Sequence, residues 1–163
     1  MNRFALALAA ALFSTQTIAA EPPPVDPRTQ ARIDRILKRT PLIDGHNDLP
    51  YALREAFEGK VENLASGTAN WKPPLMTDIA RLRAGRVGGQ FWSVYIDGTV
   101  TGDAAIRTTS DQIDIARRLI AAYPKDLRLA LTADDMVRAH RKGRIASLLG
   151  IEGGRQIGGS LAA

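Results

Sequence analysis

Apolar positions along the chain follow two alternating rhythms, one of helical spacing and one of short continuous runs. Ile33, Ile36 and Leu37 recur at helical spacing and predict a first helix. It should stop near Thr40-Pro41, because a proline drives the residue before it out of the helical region. Pro41-Leu42-Ile43-Asp44 then reads as a short strand, and Leu53 and Phe57 as part of a helix ended by Gly59. Residues 60–74 hold Gly, Asn and two prolines and predict a loop. Thr77-Asp78 can cap a helix through Leu82, with Gly85 past its end. Phe91–Ile96 predicts a strand, and Ile106, Ile113 and Ile120 a longer helix ending near Pro124. Leu127–Leu131 predicts a further strand, Thr132 a cap for a helix carrying Met136 and Val137, and Ile145–Ile151 a last strand. Gly158–Ala163 reads as the start of another helix.

Four strands separated by helices predict an α/β protein built from parallel βα units. The near-continuous apolar run Ala146–Ile151 suits a strand covered on both faces. An open flavodoxin-like sheet and part of a closed barrel both satisfy this pattern. Phe91 and Trp92 alternate across their strand, so one should face a barrel interior and the other a helix layer.

The amino terminus breaks the pattern. Arg3 precedes an unbroken apolar run, Phe4–Phe13, then a polar stretch Ser14–Thr17 and the small residues Ala19-Ala20. That is the layout of a secretory signal over residues 1–20, and it predicts an exported protein, periplasmic or secreted. The run is shorter than the ~20 residues that span a bilayer, so no retained transmembrane span is expected. Residues 21–40, with three consecutive prolines, form a linker and the first helix, and 41–163 the body of the domain. A chain that is 45% hydrophobic and 24% charged is globular rather than disordered. The net charge of +5 falls to +4 without Arg3, and the basic residues are dispersed, which argues against a nucleic-acid arm. With no cysteine, any metal must be held by His, Asp and Glu.

The candidate chemistry lies at two strand ends. In Asp44-Gly45-His46-Asn47-Asp48, side chains two apart on a strand share a side, so His46 and Asp48 can reach one metal ion. A turn in which Asn47 and Asp48 satisfy backbone amides fits the local pattern equally well. In Gly150-Ile151-Glu152-Gly153-Gly154, a glutamate follows an apolar strand, where barrel enzymes carry catalytic groups. Its two oxygens could bridge two metals roughly 3.5–4 Å apart. Taken alone, Glu152 reads more simply as a carboxylate at a helix amino terminus. His140, at a basic helix end, is expected to face water and not a metal.

The stretches Pro41–Pro50, Leu82–Tyr95 and Ile145–Gly154 together resemble the membrane (renal) dipeptidase family, in its order and at about its spacing. The resemblance implies a TIM-type (β/α)₈ barrel of amidohydrolase kind, of which this chain would supply about the first four βα units. It implies zinc-dependent hydrolysis of dipeptides, some with dehydro or D residues at the carboxyl end, with two Zn2+ ions at the strand ends. His46 and Asp48 would bind the first zinc, and Glu152 would bridge both and serve as the catalytic carboxylate. A water held between the metals would attack the peptide carbonyl. A homodimer is the assembly left open.

Where many relatives have His after Glu-Gly-Gly, this chain has Arg155, a change read as neutral or as substrate tuning. The family's two further zinc-binding histidines lie beyond residue 163, and a full barrel takes about 250 residues. The chain is therefore expected to be an incomplete amino-terminal portion. Two other functions compete. A lactonase or phosphotriesterase-like amidohydrolase would carry His-x-His on the first strand, where this chain has His46-x-Asp48. A truncated, non-catalytic binding domain would fold without metal.

Overall fold

Residues 24–162 are described by a computed structural model of the chain, and the predicted signal at 1–20 lies outside the described residues. Helix α1, Pro27–Arg39, begins where Asp26 accepts hydrogen bonds from the amides of Arg28 and Thr29. Pro27 fills the first turn, where its missing N–H is not needed. The helix ends at Thr40, before Pro41, as the proline requires. Strand β1, Leu42–Asn47, leads into α2, Leu49–Phe57, which closes through Glu58 in the left-handed region and Gly59.

Asp78 starts α3, Ile79–Ala84, by accepting from the Arg81 amide at 2.8 Å. The same carboxylate, only 2% exposed, takes the Thr68 amide at 3.0 Å and Arg81 Nε at 2.8 Å. Burial alone would raise its pKa. The amides of Arg81 and Thr68 and the Arg81 guanidinium outweigh that and hold it below 3.8. Strand β2, Val87–Val94, α4, Gly102–Ala122, β3, Leu127–Leu129, α5, Ala133–Arg141, and β4, Ile145–Ile151, complete the order.

All strand pairs are parallel, in the order β1-β2-β4-β3. The last two do not follow chain order. β4 runs beside β2 from Gly89–Ala146 to Val94–Ile151, and the three-residue β3 pairs outside it with Ile145–Ser147. β3 is shorter than its apolar run predicts, because the amides of Leu131 and Thr132 turn away to Asp135 Oδ2 in the capping box of α5. β2 begins four residues before the predicted start. Its leading Gly88 and Gly89 hide it from propensity, yet a Cβ at Gly88 would stand 2.7 Å from Pro41 Cβ and 2.9 Å from His140 Nδ1. His140 therefore packs half-buried against β2, where the sequence placed it toward water. The buried stripe of α4 runs through Ala105, Thr109, Gln112, Ala116 and Leu119, with Ile106 and Ile113 at its margin. Residues 158–162 form turns and no helix.

The register divides the sheet into two faces. Gln90, Trp92 and Val94 share one face with Ser147 and Leu149. There Trp92 is fully buried among Leu49, Leu53, Ile79 and Leu82 and the α4 residues Ile115 and Leu119. Gly89, Phe91 and Ser93 share the other face with Ala146, Leu148 and Gly150. Met136 and Ala139 of α5 cover its amino-terminal half against Ala146 and Leu148. Phe91 and Trp92 thus part to opposite faces, as their alternation predicts, and Phe91 stays half-exposed.

Candidate metal centre

Three of the predicted residues meet at the carboxyl-terminal end of the second face. His46 lies on β1, Asp48 at the first turn of α2, and Glu152 just beyond β4. One ligand atom from each lies within 4.8 Å of the other two. His46 Nε2 is 3.2 Å from Asp48 Oδ1 and 3.5 Å from Glu152 Oε2. Their side chains are 54%, 54% and 48% exposed, so the group lies on an open rim.

Local bonding separates the competing readings of each residue. Asn47 does behave as a turn residue: its Oδ1 accepts the Leu49 amide at 3.0 Å. Its amide nitrogen donates to Thr77 Oγ1 at 3.1 Å and reaches Gln90 Oε1 at 3.5 Å, on the far side of the strand from His46. Asp48 occupies the cap position of α2 but makes no capping bond, and its carboxylate turns to His46 instead. Asp44 accepts the His46 amide at 3.2 Å, which braces the backbone between them. Glu152 likewise caps nothing. The following turn, Gly154–Ile157, is capped by Gly153, and Glu152 Oε2 accepts from Ser93 Oγ at 3.1 Å.

The loop carrying Glu152 is fastened to β2 and α4. Gln156, 2% exposed, donates to the Val94 carbonyl at 2.7 Å and to Thr109 Oγ1 at 3.2 Å. Arg155 donates to the Ile96 carbonyl and lies 5.5 Å over the Tyr95 ring, which meets Tyr51 edge-on at 4.9 Å. Burial, then the charges of Glu55 and Asp97, pushes the Tyr51 phenol up, so it stays neutral at pH 7. The hydroxyl and amide of Thr99, with a smaller contribution from Arg155, hold Asp97 below its ordinary value.

The donor set suits a small divalent ion. Bonds of about 2.0–2.2 Å at tetrahedral angles put neighbouring ligand atoms about 3.3–3.6 Å apart. The two separations from His46 Nε2, 3.2 and 3.5 Å, lie close to that spacing, and all three ligand atoms fall within 4.8 Å of one another. One imidazole and two carboxylates also leave positions free for water or substrate. Ser93 and Gln90 were not singled out in the sequence. The available signal for Ser93 is a lone hydroxyl at the carboxyl end of an apolar strand, two residues on from Phe91 and so on the same face.

Comparison with known proteins identifies the family. Residues 30–163 match the profile of the membrane dipeptidase family (peptidase family M19). Dipeptidase ataJ of Aspergillus terreus is 43% identical over 140 residues, covering 81% of this chain and 33% of that protein. The chain thus spans about a third of the length of that curated relative. The probable dipeptidase PvdM from Pseudomonas aeruginosa superposes with a TM-score of 0.61 at 16% identity, over 84% of this chain and 34% of that one. A metallopeptidase from Rhodobacter sphaeroides, solved with a phosphinate mimic of the dipeptide L-Ala-D-Ala, gives 0.52 at 20% identity, over 74% and 40%. At such identities the likeness speaks for the fold alone, a partial TIM-type barrel. By its sequence match over residues 30–163, the chain belongs to the membrane dipeptidase family, M19.

Proposed function

We propose that this chain forms the amino-terminal part of a zinc-dependent dipeptidase, with His46, Asp48 and Glu152 as metal ligands. The observation that carries the reading is the convergence of these three side chains, from two distant segments, on one strand-end rim. Zinc held there would supply Lewis acidity toward a peptide carbonyl and toward water. The chain's own groups do the placing. His46 and Asp48 offer ligand atoms to one ion, and Glu152, with an oxygen to spare, is set to share a second. Asp44 and Asn47 hold the backbone of the first pair, and Gln156 holds the loop of the third. Tyr51, Tyr95 and Arg155 border the same rim, and Arg155 is the residue we assign to substrate tuning.

The substrate proposed is a dipeptide, and the proposal includes a second zinc ion, toward which Glu152 would turn its remaining oxygen. Export through residues 1–20 and homodimer formation are part of the same proposal. Among the described residues no helix is long and apolar enough to cross a membrane. The test is hydrolysis of a dipeptide panel by the zinc-loaded chain and by a longer protein in which barrel strands follow it. Turnover by the longer protein, lost in Glu152→Gln, is the expected result. Turnover by the chain alone would show that no further ligands are needed, and no turnover by either would end the dipeptidase reading.

A further inference from the structure

The three ligands differ in how they are held. His46 and Asp48 flank Asn47, whose bonds to Thr77, Gln90 and the Leu49 amide fix the strand end. Glu152 is held less directly, through Arg155 and Gln156 further along its loop. Its side chain is about half-exposed, and its amide reaches the Val94 carbonyl only at 3.4 Å. A glutamate in that position loses rotamer freedom whenever it binds an ion. Among the described residues, the hydroxyl bonded to it is Ser93 Oγ, at 3.1 Å from Oε2.

Ser93 is itself on a rigid mount. It sits in β2, between β1 and β4, and is 4% exposed. Among the described residues Glu152 is the sole side-chain partner recorded for its hydroxyl, so the bond satisfies a buried donor and restrains an exposed acceptor. β2 gives no ligand to the cluster, yet it lies between the two strands that do. A carboxylate oxygen has two lone pairs. A donor from the sheet on one of them leaves the other, and all of Oε1, for ions.

The geometry points to Ser93 as a positioning residue that holds the Glu152 carboxylate in its metal-binding orientation. The inference deepens the metal-centre reading and rests on it. Removing a hydrogen-bond partner of a ligating side chain typically weakens metal affinity about 10–100-fold. Gly150 is the register partner of Ser93, and a Cβ there would meet nothing within 4 Å, so a methyl group added beside Ser93 has room.

The experiment is Co2+ titration of the chain, read by ligand-field absorption, with Zn2+ competition for affinity. Ser93→Ala is compared with Ser93→Thr and Ser93→Val, which match each other in shape and differ in the hydroxyl. The expected result is affinity about 10–100-fold weaker in Ser93→Ala and Ser93→Val, with shifted absorption bands, and near-parental binding in Ser93→Thr. Metal-free unfolding midpoints should stay within about 5 °C of the parent, since one buried hydrogen bond is at stake. In a Glu152→Gln background, Ser93→Ala should change affinity no further. Equal binding by the Thr and Val variants would overturn the role even if Ser93→Ala failed to fold. Parental binding and bands in Ser93→Ala would overturn it while leaving the metal centre intact. Failure of the parent chain to bind Co2+ would remove the metal-centre reading first, and this inference with it.

Discussion

The two faces of the sheet are built from the same four strands and are held in different ways. On the helix-covered face, Trp92 and its neighbours lie under α2, α3 and α4 in one continuous apolar cluster. On the other face, α5 covers only the amino-terminal half, through a small cluster of three alanines with Met136 and Leu148. Beyond it Phe91 is half-exposed, and the candidate triad stands at the rim. The first face supplies stability to the domain. The second leaves its strand-end rim open, and the polar groups there are bonded to one another.

The sharpest way to break that contrast is to truncate adjacent aromatics on opposite faces. Trp92→Ala should cost about 3–5 kcal/mol, enough to unfold much of the domain at 37 °C. Phe91→Ala should cost about 1 kcal/mol, since its ring already meets solvent. Chemical denaturation followed by circular dichroism reads both. Equal losses would mean that the two faces are alike.

Acid should act on the helix-covered side through Asp78. Its carboxyl is depressed in the folded protein, so it contributes stability above the unfolded value near 3.8 that disappears as pH falls through the folded value. Stability should therefore drop below pH 3.8, and Asp78→Asn should flatten that limb of the profile while lowering stability at neutral pH. A variant with an unchanged acid limb would remove Asp78 from the account. The smallest effect belongs to the open face. Glu152→Gln should leave metal-free stability within about 0.5 kcal/mol, because its side chain is about half in water. A large loss of metal-free stability would make Glu152 a structural residue instead.

Much of this was legible in the chain because each element carries a local cause. Asp78 and Thr132 cap their helices through their own side chains, and Ile145–Ile151 forms the strand its apolar run predicts. What local pattern hides is tertiary. Gly88 is strand because Pro41 and His140 press against it, and Leu131 leaves its strand because Asp135 captures its amide. The β1-β2-β4-β3 order is a fact of the whole sheet, carried by no single segment. At the site, His46, Asp48 and Glu152 could be named from spacing and family resemblance. Ser93 could not, because its role depends on standing beside a residue 59 positions away.

The central claim is that His46, Asp48 and Glu152 hold a metal ion together. Zinc K-edge absorption on the zinc-loaded chain tests it most directly. The account predicts a nitrogen and oxygen shell at about 2.0–2.2 Å with imidazole scattering that vanishes in His46→Ala. Imidazole scattering that survives in His46→Ala would assign the ion to His140, the chain's other histidine, and would contradict the account.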